Sequence, residues 1–124
     1  MKANELMVGD WVYNTHNRQY EQVGEIGSGL IMLAYNDLYD YDEIEPIPLT
    51  PEILEKIGFE TQPNIGYIID DWDGTQIIYD SWNHNLRIIK NYKICLDVET
   101  FDDIAVHELQ HALKLCEIER EIKL

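Results

Sequence analysis

The block Thr50-Pro-Glu-Ile-Leu-Glu-Lys-Ile-Gly58 constrains the fold more than any other stretch of this chain. A threonine side chain can accept from the free N–H groups of a first helical turn. Proline suits the first helical position because no N–H is needed there, and glycine tolerates the left-handed backbone that ends a helix. Ile53, Leu54 and Ile57 fall on one side of such a helix. The block therefore predicts a short linker helix. It divides the 124 residues into 1–48 and 49–124, which fold as two small units or together as one domain.

The first stretch alternates short β-like runs with turn residues. The runs are Asp10 to Tyr13, Tyr20 to Ile26, Leu30 to Tyr35 and Glu43 to Ile47, with Asn14-Thr-His-Asn17 and Gly27-Ser-Gly29 as turns. Runs so closely spaced predict a small β-barrel or curled sheet. The opening Glu5-Leu-Met-Val-Gly-Asp-Trp-Val12 resembles the start of SH3-like barrels, where a glycine-containing turn feeds the first strand and its aromatic residue packs inside.

Beyond the linker helix, strands are expected at Gly66 to Asp71 and Thr75 to Asp80, joined through Trp72-Asp-Gly74. Two more follow, Asn85 to Lys90 and Lys93 to Val98, with Asn91 and Tyr92 at the turn. Thr100, with Asp103 three residues on, reads as the start of a long helix over about 103–115. After Cys116 the alternation of Ile118, Ile122 and Leu124 with Glu117, Glu119, Glu121 and Lys123 predicts a closing strand. The expected class is α+β: an SH3-like β unit, a linker helix, and an antiparallel sheet carrying one long helix.

Nine basic residues against twenty-four acidic ones give a formal charge of −15. Affinity for nucleic acid and for anionic membranes comes largely from lysine and arginine, so neither is an expected direct partner. The same charge suits solubility, docking on a basic protein, or imitation of DNA. Cys95 and Cys116 lie in different elements among apolar neighbours and are expected to be buried free thiols, which fits a cytoplasmic setting. Glu5 and Asp10 come too early for a secretory apolar stretch, and no run is long enough to span a membrane.

One run names a chemistry directly. His107-Glu-Leu-Gln-His111 fits the H-E-x-x-H pattern, in which two histidines one helical turn apart hold zinc and the glutamate acts on the metal-bound water. On the expected helix, however, Ala105, Leu109, Ala112, Leu113 and Cys116 form the core stripe. His107 and His111 lie nearly opposite, toward solvent. A catalytic zinc also needs a third protein ligand. In the extended form of the motif Lys114 stands where glycine is required and Glu117 where histidine is. The balance is against an enzyme and against a cofactor. The alternative is a minimal zinc hydrolase with His107 and His111 as ligands and Glu108 as base.

Other constellations point to recognition rather than chemistry. Tyr35, Asp37, Tyr39, Asp40, Tyr41 and Asp42 form an acidic, aromatic stretch suited to a basic protein partner. Asp70, Asp71, Asp73 and Gly74 lack the spacing of a calcium loop and suit a hairpin turn. Trp11, Trp72 and Trp82 are expected in the core.

Three stretches carry a wider resemblance: Met1-Lys-Ala-Asn-Glu-Leu-Met-Val-Gly-Asp-Trp-Val12, Ile44 through Phe59, and Val106-His-Glu-Leu-Gln-His-Ala-Leu-Lys-Leu-Cys116. In that order they resemble small phage, prophage and mobile-element proteins of gut anaerobic bacteria, a group without an established activity. In that group the closing helix looks like Val-His-x-Leu-Gln-His, and a glutamate at the second position is not a defining feature. The resemblance implies that Glu108 is an ordinary surface residue and that the chain is a non-enzymatic accessory protein acting by contact with other proteins. A zinc hydrolase and an acidic DNA mimic are the alternatives.

Overall fold

In a computed structural model of the chain, residues 1–34 and 37–124 are described. Among the described residues the fold is mixed α+β, mostly strands, with two antiparallel five-stranded sheets and two α-helices. Its backbone contacts fall into two compact units, Met1–Ile47 with Ala105–His107, and Pro48–Ile104 with Glu108–Leu124.

The first unit holds β1 (Trp11–Asn14), β2 (Gln19–Ile26), β3 (Leu30–Leu33), β4 (Leu38–Asp40) and β5 (Ile44–Glu45), in the order β4-β3-β2-β1-β5. Its entry turn is set by Gly9, whose φ of 93° is costly for other residues. Asp10 holds the same turn by accepting from Met7 N–H at 2.8 Å. Alternating strand residues face inward, and Leu6, Val12, Val23, Ile31, Leu33 and Ile44 form the core. A 3-10 turn, Tyr41–Glu43, leads into β5, so the expected strand over Glu43 to Ile47 shrinks to Ile44–Glu45. The short edge strand β4 was not anticipated. Among the described residues this sheet is open, and neither sheet closes into a barrel.

The second unit begins with α1 (Pro51–Ile57) and builds as expected: Thr50 Oγ1 accepts from Ile53 N–H, and Gly58 ends the helix at φ 117°. Its sheet is a meander of β6 (Glu60–Gln62), β7 (Gly66–Asp70), β8 (Gln76–Asp80), β9 (Asn85–Lys90) and β10 (Lys93–Glu99), paired in that order. β6, all of it exposed, is a second strand the sequence pattern did not reveal. Asn91 and Tyr92 turn β9 into β10 with φ of 54° and 64°, the left-handed pair that a two-residue hairpin needs. Ile77, Tyr79, Leu86 and Ile88 make one face of the sheet buried. The Tyr79 hydroxyl accepts from Ile104 N–H, and burial pushes its pKa above the usual tyrosine value.

Two expectations fail at the C-terminal end. The long helix, α2, spans Val106–Leu115 and starts later than Thr100 and Asp103 suggest. Thr100 N–H instead donates to His84 O at 3.1 Å, prolonging the β10 ladder, and Leu49 N–H donates to Ile104 O at 3.1 Å. Residues just before the helix are thus held extended. After α2 there is no closing strand. Glu117 takes φ 55°, Ile118 N–H returns to Leu113 O, and Arg120 N–H folds back onto Ile118 O. A local turn uses the backbone groups that a ladder would require. The alternation in this tail nevertheless reports sidedness, since Ile122 is buried and Glu117, Glu119, Glu121 and Lys123 are exposed.

Candidate functional site

The helix α2 carries two stripes with different environments. Leu109, Ala112, Leu113 and Cys116 are buried, as the core stripe expected from the sequence. His107 is buried too, at 7% exposure, so it does not stand on the solvent face where the helical wheel puts it. Glu108 is exposed and His111 partly buried. Among the described residues, no three His, Cys, Asp or Glu side chains gather where they could hold one metal ion.

Glu108, His111, Ala112 and Leu115 follow the i, i+3, i+4, i+7 spacing of one helical face and form one wall of a groove. Leu86 of β9 and Leu96 and Val98 of β10 form the opposite wall, with Thr100 and Ile104 at the end; the cavity measures about 250 Å³. Its lining is mostly apolar, and Leu115, at 75% exposure, stands open to solvent on its rim. Two contacts fix the segment that closes the groove: Thr100 Oγ1 donates to Asp102 O at 2.6 Å, and His84 Nδ1 lies 3.2 Å from Asp103 Oδ1.

β10 is the outermost strand of its sheet, with a neighbour on one side only among the described residues. Most of it is exposed on both faces. Such an edge offers unpaired N–H and C=O groups to a further strand. On the face away from the groove, Asp97 is held below the usual carboxylate pKa range, first by the Asn85 amide at 2.8 Å and then by Arg87 at 3.3 Å.

The acidic, aromatic stretch expected to bind a partner lies in the other unit, and Tyr35 falls outside the described residues. Asp37, Asp40 and Asp42 are exposed, but Tyr39 and Tyr41 pack against the core, and the Tyr41 hydroxyl donates to Gly27 O at 2.6 Å. The stretch presents carboxylates rather than rings.

The exposed aromatic residues are elsewhere. Trp72 and Trp82, expected in the core, are 88% and 91% exposed, while Trp11 is partly buried. Both exposed tryptophans occupy hairpin turns whose aspartates are spent on the backbone: Asp70 accepts from Trp72 N–H and Asp80 from Trp82 N–H, each at 2.9 Å. Asp73 likewise accepts from Thr75 N–H at 3.0 Å, so this acidic loop is a set of turn caps. Cys95 is exposed rather than buried. The turn signals Trp72-Asp-Gly74 and Ser81-Trp-Asn83 could have placed these rings outside. Nothing local in the sequence marks the groove, because its walls come from residues 86–115.

No protein-family model, curated protein or solved structure matches this chain. Among the described residues, no helix is long and apolar enough to cross a membrane.

Proposed function

We propose that this chain is a non-enzymatic protein-interaction module, of the accessory kind encoded by phages and mobile elements, working in the cytoplasm of a host cell. Its binding face is the free edge of β10 together with the groove between β10 and α2. The observation that carries the reading is the adjacency of an exposed strand edge and an apolar trough walled by Leu96, Val98, Ala112 and Leu115. An extended segment added to β10 gains main-chain hydrogen bonds from the edge and places alternate side chains in the trough. Glu108 in the wall and a chain charge of −15 select a basic segment and speed its encounter.

The order β4-β3-β2-β1-β5, with a 3-10 turn between β4 and β5, supports an SH3-like origin for the first unit even though its sheet is open. In this reading Asp37, Asp40 and Asp42 add to the field that draws a basic partner.

The test is a titration of isotope-labelled protein with a peptide of alternating lysine and valine, beside one of alternating glutamate and valine. Shifts confined to residues 94–100 and 108–115 with the lysine peptide, abolished by Val98→Pro, are expected. Equal binding of both peptides, or shifts centred elsewhere, would sink the reading.

A further inference from the structure

One end of the second sheet, opposite the Trp72 turn, carries a notch built around a glycine. Gln62 on β6 faces Gly66 on β7, and the pairing of Tyr67 with Tyr79 brings Gly66 beside Asp80 on β8. Residues opposite one another across strands share a face of the sheet. Gly66 has φ 109°, and a Cβ there would stand 2.6 Å from Tyr79 O and 3.3 Å from Asp80 Cα, so this position requires glycine. The row from Gln62 to Asp80 thus lacks its middle side chain. These three residues line a cavity of about 450 Å³, joined by Asn64 from the β6–β7 turn and by Ser81 and Trp82 from the β8–β9 turn.

Trp82 is 91% exposed, without the burial that usually places an indole. Its turn is nonetheless fixed, because Asp80 accepts from Trp82 N–H and from the Asn83 amide, each at 2.9 Å. Thr61, Gln62, Asn64 and Ser81 are exposed in the lining, and their amides and hydroxyls both donate and accept. Among the described residues no lysine, arginine or histidine lines the cavity, so an anion finds no counter-charge there. A ligand matched to this lining is uncharged, carries several groups that both donate and accept, and has a C–H face to lay on the electron-rich face of an indole. A sugar ring has all three properties.

We propose that this notch is a saccharide-binding site, in which a pyranose packs its C–H face on Trp82 and directs hydroxyls to Gln62, Asn64 and Asp80. The rigid turns keep the cost of ordering the site low, while its openness leaves much of the sugar in water, so binding is in the millimolar range. The notch shares no residue with the groove between β10 and α2 and does not rest on the interaction reading.

The isotope-labelled full chain is titrated separately with maltose, cellobiose, lactose and N,N′-diacetylchitobiose, each to about 50 mM, enough to reveal a Kd of several millimolar. Backbone amides and the indole N–H signals of the three tryptophans are followed. At least one sugar should give saturable shifts confined to residues 61–67 and 80–83 and to the Trp82 indole. Trp82→Ala should weaken that sugar by about tenfold or more, and Gln62→Ala severalfold, whereas Trp72→Ala should leave it unchanged. Both substituted side chains are exposed, so each variant should keep the parent's amide spectrum, which checks its fold. The absence of shifts there with all four sugars, shifts centred on Trp72, or binding that survives Trp82→Ala would overturn the proposal. Choline chloride is run beside the sugars: saturation of the same residues by choline alone would make this a cation site and would overturn it too.

Discussion

Lys90 Nζ donates to Cys116 O and to Glu117 O, each at 3.0 Å, so one ammonium group from β9 closes the C-terminal end of α2. The last carbonyls of a helix have no partner within it and carry the negative end of its dipole. A lysine at that place serves both needs.

Lys90→Met keeps most of the aliphatic stem and removes the charge. It should destabilise the protein by about 1–2 kcal/mol, the worth of charged hydrogen bonds at a helix end. Urea unfolding of the two proteins measures the difference, and Lys90→Arg should recover part of it.

Glu117→Gly should act in the opposite direction. Glu117 holds φ 55° at the end of α2, a conformation that costs a side-chain-bearing residue and that glycine adopts freely. Its carbonyl, the group that Lys90 binds, is unchanged. Relief of strain predicts a gain of about 0.5–1 kcal/mol in the same urea experiment, offset in part by the greater freedom of glycine in the unfolded chain.

How far the sequence announced this structure depended on whether a feature was local. Thr50, Pro51 and Gly58 act on backbone groups within a few residues of themselves, and α1 follows from them alone. Asn91 and Tyr92 place their hairpin for the same reason. The period-two pattern after Cys116 reported which side chains turn inward but not whether a strand lies alongside, because pairing is set by backbone groups that here close a local turn. β4 and β6 are three-residue edge strands without an alternating pattern to detect. The groove joins residues from β9 to α2, so no one stretch of sequence marks it.

The two stripes of α2 should respond differently to truncation. Leu109 is 1% exposed and Leu115 is 75% exposed. Leu109→Ala leaves a cavity and should cost about 2–5 kcal/mol, whereas Leu115→Ala should change stability by less than about 0.5 kcal/mol. Thermal unfolding measures both. If Leu115 lines a binding face, its substitution should weaken the lysine peptide while leaving the fold intact.

Asp80 links the β8 turn to pH. Its carboxylate accepts from Trp82 N–H and from the Asn83 amide, and these bonds, the Trp82 one first, hold its pKa below the ordinary value. A folded-state pKa below the unfolded one stabilises the protein above the unfolded value and loses that contribution as pH falls through the folded value. Asp80→Ala should therefore be less stable than the parent at neutral pH, and the gap should narrow as the solution is acidified below the ordinary aspartate pKa of about 3.9. Unfolding curves at several pH values test this; a gap independent of pH would show that the carboxylate's charge does not matter.

The histidines of α2 yield the last prediction. His107 and His111 stand one turn apart, and a catalytic zinc would need a further protein ligand beside them. No such set of three gathers among the described residues. Two imidazoles, one of them buried, lose to common chelators any zinc they hold. The chain should emerge from dialysis against EDTA with its unfolding midpoint unchanged, and with less than about one zinc per ten chains by atomic emission after return to micromolar zinc. His107→Ala should lower the midpoint, because a buried side chain is lost, without changing the metal content. Stoichiometric zinc that disappears in His107→Ala would instead restore the hydrolase reading of His107, Glu108 and His111.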